Sequence, residues 1–158
     1  MQLFRICPEQ YIENYSGLGA SYRDGARWNK AGIPVLYFAL TPAVALLEMG
    51  NYLPSPRLVP KSYRLGIYEL PDSALCESLD RDQLPDDWPQ YPYPESTQSI
   101  GTEWLEKCGA LVLRVPSAAV PAGLEQIAVV NPRHPDCRQL TLVDIKTDLY
   151  NKRIFQGT

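Results

Sequence analysis

The segment PVLYFALTPAVALLEM, residues 34–49, predicts a buried strand followed directly by a helix. Its first six residues form a compact apolar run, which is typical of a strand inside a sheet. Thr41 and Pro42 then predict a helix start, because threonine is a good N-cap and proline is favoured at the first helical position. We expect this helix to run to about Leu53. Its apolar stripe at helical spacing comprises Leu46, Met49, Gly50 and Leu53.

The sequence on either side of this segment predicts more strands than helices. The further strands are expected at residues 3–6, 61–70, 110–115, 125–130 and 140–146. Residues 14–25 predict a loop, and a second helix, capped by Ser96 or Thr97, is expected to end near Cys108. We therefore predict an α+β fold with mixed small sheets and a few helices. Because no repeat or linker divides the chain, we predict a single domain over residues 1–158.

The distribution of proline excludes helical architectures. The chain has 15 prolines in 158 residues, and eight of them fall between Pro54 and Pro94. Proline lacks a backbone N–H and breaks helix interiors and central strands, so a helical bundle, a coiled coil and a helical repeat are all disfavoured. We expect residues 85–94 to form a stiff surface segment that shapes the rim of a site or meets a partner.

Composition and charge exclude several functional classes. The net charge of −3 and the scattered basic residues predict no broad basic face for nucleic acid. No apolar run approaches the ~20 residues of a membrane span, and the start lacks a signal-peptide apolar region, so we expect a cytoplasmic protein with no membrane partner. Four cysteines without a Cys-x-x-Cys pair, and a single histidine at His134, offer no zinc cluster, so no metal is expected.

Four residues in the first third of the chain are candidates for binding or catalysis. Arg5 lies in an apolar strand, where it either reaches solvent from the strand edge or is held for an anion. Arg27 offers a planar fork for phosphate or carboxylate, or else stacks on Trp28. Tyr37 either packs in the core or provides a ring for a flat ligand. Glu48 lies opposite the apolar stripe of its helix, as a solvated residue or as a catalytic carboxylate.

The later candidates have weaker support from the sequence. Ser117 follows a predicted strand, where the loops of functional sites often lie. Ser99 is the alternative serine, near the start of the second helix, where backbone amides can bind an anion. Asn131 and His134 flank a proline turn and are better explained by turn formation than by catalysis. The chain contains neither a GxGxxG nor a Walker pattern, so Rossmann and P-loop sites are excluded.

Six blocks of the sequence, in this order, resemble the RES domain family. They are RWN at 27–29, GIPVLY at 32–37, TPAVALLE at 41–48, QSIGTEWL at 98–105, LRVPS at 113–117 and NPRHPD at 131–136. The resemblance covers nearly the whole chain. The family is named for an arginine, a glutamate and a serine, and the matching positions here are Arg27, Glu48 and Ser117. Thr102 departs from the pattern, since many members carry an acidic residue after Ile-Gly.

This resemblance implies a fold similar to that of ADP-ribosyltransferases of the diphtheria-toxin type. It also implies a toxin of a bacterial toxin–antitoxin pair, whose partner is an Xre-like helix-turn-helix antitoxin. The implied substrate is NAD+, which members degrade by hydrolysis or phosphorolysis at the nicotinamide–ribose bond. Some members are ADP-ribosyltransferases, so modification of a protein target is the alternative. An RNase is disfavoured by the acidic balance, and a binding module with a vestigial pocket is a further alternative.

With NAD+ as the implied substrate, each candidate residue acquires a role. Cleavage of the nicotinamide–ribose bond builds positive charge on the ribose, as in glycoside hydrolysis, and Glu48 is expected to stabilise that charge. Arg5 and Arg27 are expected to bind the pyrophosphate. Tyr37 is expected to stack on the nicotinamide ring, and Ser117 to hydrogen-bond the nicotinamide amide or a ribose hydroxyl.

Overall fold

The computed structural model describes residues 1–52 and 58–151, which contain seven strands and three α-helices. The strands are β1 (Gln2–Pro8), β2 (Leu36–Ala39), β3 (Tyr63–Glu69), β4 (Cys76–Ser78), β5 (Val112–Pro116), β6 (Gln126–Val130) and β7 (Thr141–Lys146). The helices are α1 (Ala20–Asp24), α2 (Pro42–Gly50) and α3 (Glu95–Lys107). The predicted α+β fold is confirmed. In place of several small sheets, however, the described strands join into one seven-stranded sheet.

The sheet has the strand order β4-β5-β6-β2-β1-β3-β7. Only the pair β4–β5 is parallel, and the other neighbours run antiparallel. Strands β5, β6 and β2 lie side by side near the middle of the sheet. They read as continuous apolar runs in the sequence because both of their faces are covered.

Strand β2 divides the hydrophobic core between the two faces of the sheet. Leu36 and Phe38 pack in one buried cluster, whereas Val35 and Tyr37 belong to the other, together with Trp28. Successive side chains of a strand point to opposite faces, which explains this alternation. Tyr37 therefore lies on the same side of the sheet as the turn that carries Arg27.

Helix α2 begins where the sequence predicts, and the Val44 N–H donates to the Thr41 Oγ1 at 3.2 Å. Of the predicted apolar stripe, Met49 is buried, Leu46 is only partly buried and Gly50 is exposed, and the buried residues of the described helix are Val44, Ala45 and Met49. The described helix ends at Gly50, and Leu53 lies outside the described residues. The small side chain of Ala45 packs against the sheet, which turns Leu46 partly and Leu47 largely towards solvent.

Three other local predictions differ from the structure. The predicted loop at 14–25 contains the short helix α1, and α3 begins at Glu95 with Pro94 as its N-cap instead of a serine or threonine cap. Thr97 donates its hydroxyl to the Pro94 carbonyl at 3.1 Å, so its side chain is used inside the helix. Residues 88–94 form neither helix nor strand, as predicted, but Trp88 is only 8% exposed. The proline-rich segment, residues 85–94, thus contributes to the core as well as to the surface.

In the described part of the chain, no helix has both the length and the apolar character needed to cross a membrane.

Candidate functional site

A cavity of about 680 Å³ opens between the sheet, α2 and the segment that precedes α3. Four of the five predicted site residues line it: Arg5 from β1, Arg27 from the turn after α1, Tyr37 from β2 and Glu48 from α2. Ser117 follows β5 and lies between two lining residues, Pro116 and Ala118. Residues predicted from separate blocks of sequence therefore surround one cavity.

Ser117 and Glu48 are joined by a short hydrogen bond. The Ser117 hydroxyl donates to Glu48 Oε1 at 2.6 Å, and Ser117 is fully buried. The Ser117 N–H donates to the Glu125 carbonyl at 2.8 Å, which continues the pairing of β5 with β6. The other carboxylate oxygen, Glu48 Oε2, accepts a long bond of 3.4 Å from the exposed Asn51 side chain. One oxygen of Glu48 is thus held firmly by Ser117, while the other has only a weak contact with Asn51.

Arg27 is held at the cavity by the proline-rich segment. Its Nη1 donates to the carbonyls of Trp88 and Gln90, the latter at 2.9 Å, and its guanidinium carbon lies 5.2 Å from the centroid of the Tyr93 ring. Burial lowers the pKa of Arg27, and the neighbouring Tyr93 and Glu48 offset part of that change. Arginine nevertheless stays charged at neutral pH. The site therefore contains a partly buried cation in the same cavity as the Glu48 carboxylate.

The Tyr37 hydroxyl is fully used within the protein. It donates to Asn29 Oδ1 at 2.8 Å and accepts the Trp28 N–H at 3.1 Å. Burial raises the pKa of Tyr37, so the hydroxyl remains protonated at neutral pH. A ligand in the cavity can therefore contact the ring of Tyr37 rather than its hydroxyl.

Arg5 lines the same cavity from strand β1. Its Nη1 donates to the Asn14 carbonyl at 3.3 Å, and its guanidinium carbon lies 6.0 Å from the centroid of the Phe38 ring. The contact with Asn14 is long for a hydrogen bond, so it holds the Arg5 guanidinium only weakly. The cavity thus has one firmly held arginine and one loosely held arginine.

The remaining sequence candidates lie outside this cavity. Ser99 belongs to α3 and is not among the described residues that line the cavity. His134 Nδ1 accepts the Asp136 N–H at 3.2 Å and caps a short 3-10 helix. The buried Asn131 donates its side-chain amide to the Leu105 carbonyl at 2.8 Å. The interpretation of Asn131 and His134 as turn-forming residues fits these contacts.

Two tyrosines at the cavity escape prediction from the sequence. Tyr52 and Tyr93 line it, and their hydroxyl oxygens lie 3.3 Å apart. Tyr52 follows Glu48 by four residues, a spacing that places two residues on one side of a helical turn. Tyr93 lies in the proline-rich segment, where periodicity carries no signal, so only its contact with Arg27 in space reveals it. Within residues 1–52 and 58–151, no group of three or more His, Cys, Asp or Glu residues is placed to hold a metal ion.

Comparison with known proteins identifies the family of this chain. The sequence model of the RES domain family matches residues 2–150, and the chain belongs to that family. The chain is 34% identical over 157 residues to "Toxin Res" of Pseudomonas putida, which covers 98% of this chain and all of that protein. It is 32% identical over 146 residues to "Prs ADP-ribosylating toxin" of a Sphingobium species, which covers 91% of this chain and 88% of that protein.

A solved structure has the same fold. The chain matches a chain of the M. tuberculosis MbcT–MbcA toxin–antitoxin complex with a TM-score of 0.68, covering 92% of this chain and 82% of that one. The sequence identity between the two is 20%, so the similarity concerns the fold alone.

Proposed function

We propose that this protein is the toxin of a toxin–antitoxin pair and that it cleaves the bond between nicotinamide and ribose in NAD+. Membership of the RES domain family, and full-length relatives named as toxins, support the first part of the proposal. The composition and geometry of the cavity support the second part. The protein is proposed to act in the cytoplasm.

The observation that carries the enzymatic proposal is the hydrogen bond from Ser117 to Glu48 at the cavity. Loss of nicotinamide leaves positive charge on the ribose, and a fixed carboxylate stabilises such a charge when it lies close by. The bond of 2.6 Å fixes Glu48 Oε1, so the carboxylate needs little reorganisation when charge develops. We assign Glu48 as the stabilising group and Ser117 as the residue that orients it. This use of the Ser117 hydroxyl differs from a direct contact with nicotinamide or ribose.

The cavity also suits a dinucleotide with two phosphates. Its volume of about 680 Å³ lies within the ~300–1,000 Å³ of typical ligand pockets. Both described bonds of Arg27 leave from Nη1, and the guanidinium has further donors on Nε and Nη2 for a phosphate oxygen. The loosely held Arg5 is the second proposed phosphate ligand, and the Tyr37 ring is the proposed stacking surface for nicotinamide.

The acceptor of the ADP-ribose defines a second candidate function. The Sphingobium relative is named an ADP-ribosylating toxin, which favours transfer to a protein target as the alternative to hydrolysis or phosphorolysis. NAD+ labelled in its adenylate part distinguishes these outcomes. Free labelled ADP-ribose, or its phosphate ester, supports NAD+ degradation, whereas a labelled protein band supports transfer.

The enzymatic proposal is tested by incubating the purified protein with NAD+ and measuring free nicotinamide. We expect Glu48→Gln to reduce the rate by about 100-fold or more, because the amide keeps the shape of the side chain but loses its charge. The matched control is Glu106→Gln, which changes an exposed glutamate on α3, away from the cavity. Equal rates for Glu48→Gln and the wild type would exclude Glu48 as the stabilising group.

The proposed partner is an Xre-like helix-turn-helix antitoxin. The fold shared with a chain of a toxin–antitoxin complex supports a partner of the antitoxin class. Expression of this chain alone is expected to arrest growth and to deplete cellular NAD+. Co-expression with an Xre-like helix-turn-helix antitoxin is expected to prevent both effects. Growth arrest with unchanged NAD+ would support the toxin proposal and contradict the proposed cleavage of NAD+.

A further inference from the structure

The turn that carries Arg27 rests on one face of helix α3. The Gln98 side-chain amide donates to the Ala26 carbonyl at 3.1 Å, and the Thr102 hydroxyl accepts the Lys30 N–H at 3.0 Å. Positions 98, 101 and 102 are three and four residues apart, so they share one face of the helix. The two hydrogen bonds hold the turn at its two ends, at Ala26 and at Lys30.

Gly101 lies between these two contacts and sets how closely the turn approaches the helix. A Cβ atom added at Gly101 would lie 2.0 Å from the carbonyl oxygen of Trp28 and 2.7 Å from its carbonyl carbon. No side chain fits into that space unless the backbone moves. The glycine is therefore required by the close approach of two backbones, and not by its own conformation, since Gly101 is inside α3.

The opposite side of the same turn is held by Asn29 and Tyr37. Asn29 is fully buried, its amide donates to the Ser21 carbonyl at 2.7 Å, and its Oδ1 accepts the Tyr37 hydroxyl. The backbones of Ala26 and Asn29 also bond to each other across the turn. The turn is thus fixed from both sides, and Arg27 has one backbone position relative to the cavity.

The supporting residues act on the cavity only through this turn. Ala26, Arg27 and Trp28 line the cavity, whereas Gln98, Gly101 and Thr102 are absent from its described lining. The chemistry proposed above gives no role to the sequence block QSIGTEWL at 98–105. Contact with the Arg27 turn explains three of its eight positions.

We propose that the Gln98–Gly101–Thr102 face of α3 is a positioning surface for Arg27, with Gly101 as the residue that sets the distance. The substrate-binding part of this inference rests on the proposed cleavage of NAD+. Thr102 fits the same role, because its hydroxyl accepts the Lys30 N–H as an acidic side chain at that position would. These three are positioning residues, since none of them lines the cavity.

The primary experiment compares Gly101→Ala with Gly109→Ala. An added Cβ at Gly109 meets nothing within 4 Å, which makes it the matched control. We expect Gly101→Ala to raise the KM for NAD+ about tenfold with a smaller change in kcat, because misplacement by about 1 Å can cost up to ~100-fold. Gly109→Ala is expected to leave both constants unchanged. Equal KM values for the two variants would overturn the proposal.

A double-mutant cycle separates positioning of Arg27 from general damage to the fold. If Gly101 acts through Arg27, Gly101→Ala has no further effect on NAD+ affinity in an Arg27→Ala background. The affinity is measured by calorimetry, so slow turnover does not limit the test. An undiminished effect of Gly101→Ala in that background would contradict the proposal.

Thr102 provides a second variant in case Gly101→Ala does not fold. Thr102→Val removes the acceptor of the Lys30 N–H and is expected to raise the KM, whereas Thr102→Ser keeps the hydroxyl and restores the wild-type value. If Thr102→Ser and Thr102→Val behave alike, the hydroxyl does not position the turn and the proposal fails.

A ligand-free measurement keeps the test independent of the proposed function. In protein labelled with 15N-arginine, the Arg27 Nε–H resonance is expected to shift in Gly101→Ala but not in Gly109→Ala. If the wild type releases no nicotinamide and this shift is still seen, NAD+ cleavage is wrong and the support of Arg27 stands. An unshifted resonance in a folded Gly101→Ala protein would exclude the support itself.

Discussion

Ser117 and Glu48 lie 69 positions apart in the chain and meet through a hydrogen bond of 2.6 Å. The Ser117 hydroxyl also accepts the Ala119 N–H at 3.2 Å, so a single buried oxygen connects the carboxylate to the loop after β5. A buried hydroxyl that both donates and accepts a hydrogen bond has one orientation. At the scale of single residues, this arrangement means that Glu48 is oriented before any ligand binds.

Ser117→Ala is expected to lower the rate of nicotinamide release by about tenfold to 100-fold, because the carboxylate loses its fixed orientation. The free energy of unfolding should fall by about 1.5–3 kcal/mol, the typical value of a hydrogen bond to a charged group. Both quantities are measured on the same preparation, by the nicotinamide assay and by urea denaturation.

The control for this variant is Ser96→Ala, which removes another short bond from a serine to a carboxylate. The Ser96 hydroxyl donates to Asp87 Oδ1 at 2.7 Å, and neither residue lines the cavity. Ser96→Ala should affect stability alone. A similar loss of activity in both variants would mean that Ser117 acts only through stability.

At the scale of elements, the order β5-β6-β2 in the sheet explains how the site is assembled. Ser117 lies at the end of β5, one strand separates β5 from β2, and β2 leads directly into α2 with Glu48. The strand–helix unit at residues 34–49 therefore supplies both Tyr37 and Glu48. Because α2 is only nine residues long, its first turn matters for its stability.

Thr41→Ala is expected to reduce the free energy of unfolding by about 1 kcal/mol, because the Val44 N–H loses its capping partner. Urea denaturation should show a lower midpoint with an unchanged slope. Thr147→Ala, at an exposed position outside the helices and strands, should match the wild type. A midpoint for Thr41→Ala within error of Thr147→Ala would show that the cap contributes nothing to stability.

At the scale of the whole molecule, buried thiol and phenol groups make the free energy of unfolding decrease at alkaline pH. Burial raises the pKa of the Cys7 and Cys137 thiols and of the Tyr68 hydroxyl, which donates to the Ile12 carbonyl at 2.6 Å. The unfolded chain releases these protons first, near pH 8.5 for cysteine and about 10 for tyrosine. Their stabilisation is therefore complete below those values and is lost as the pH rises above them.

We expect the free energy of unfolding to fall steadily between about pH 8.5 and pH 10.5, measured by urea denaturation at a series of pH values. Tyr68→Phe should make this fall less steep, since the folded and unfolded states then differ by one titrating group fewer. Tyr91→Phe, at a residue that is 80% exposed, is the control and should keep the wild-type slope. A constant or rising free energy of unfolding over this pH range would show that these buried thiol and phenol groups do not control the stability.

The strand at 34–39 and the helix start at Thr41 are predictable because their causes are local: an apolar run, a capping hydroxyl and a proline that suits the first turn. The orientation of α2 was not predictable from periodicity. Leu46 and Leu47 are as apolar as Val44 and more apolar than Ala45, and only packing on the sheet decides which are buried. The proline-rich segment is another case, since nothing local indicates that Trp88 is buried or that its carbonyl accepts from Arg27.

The sequence by itself determined the family, the fold class and the five candidate residues, because short blocks in a fixed order carry that information. Only the tertiary structure decided which serine reaches Glu48, since the sequence prefers Ser117 but leaves Ser99 as an alternative until the sheet brings the end of β5 to α2. It also decided that the Tyr37 hydroxyl is used internally and that α3 supports the Arg27 turn. These features depend on contacts between residues far apart in the chain, and such contacts form only when the packed core fixes the distances.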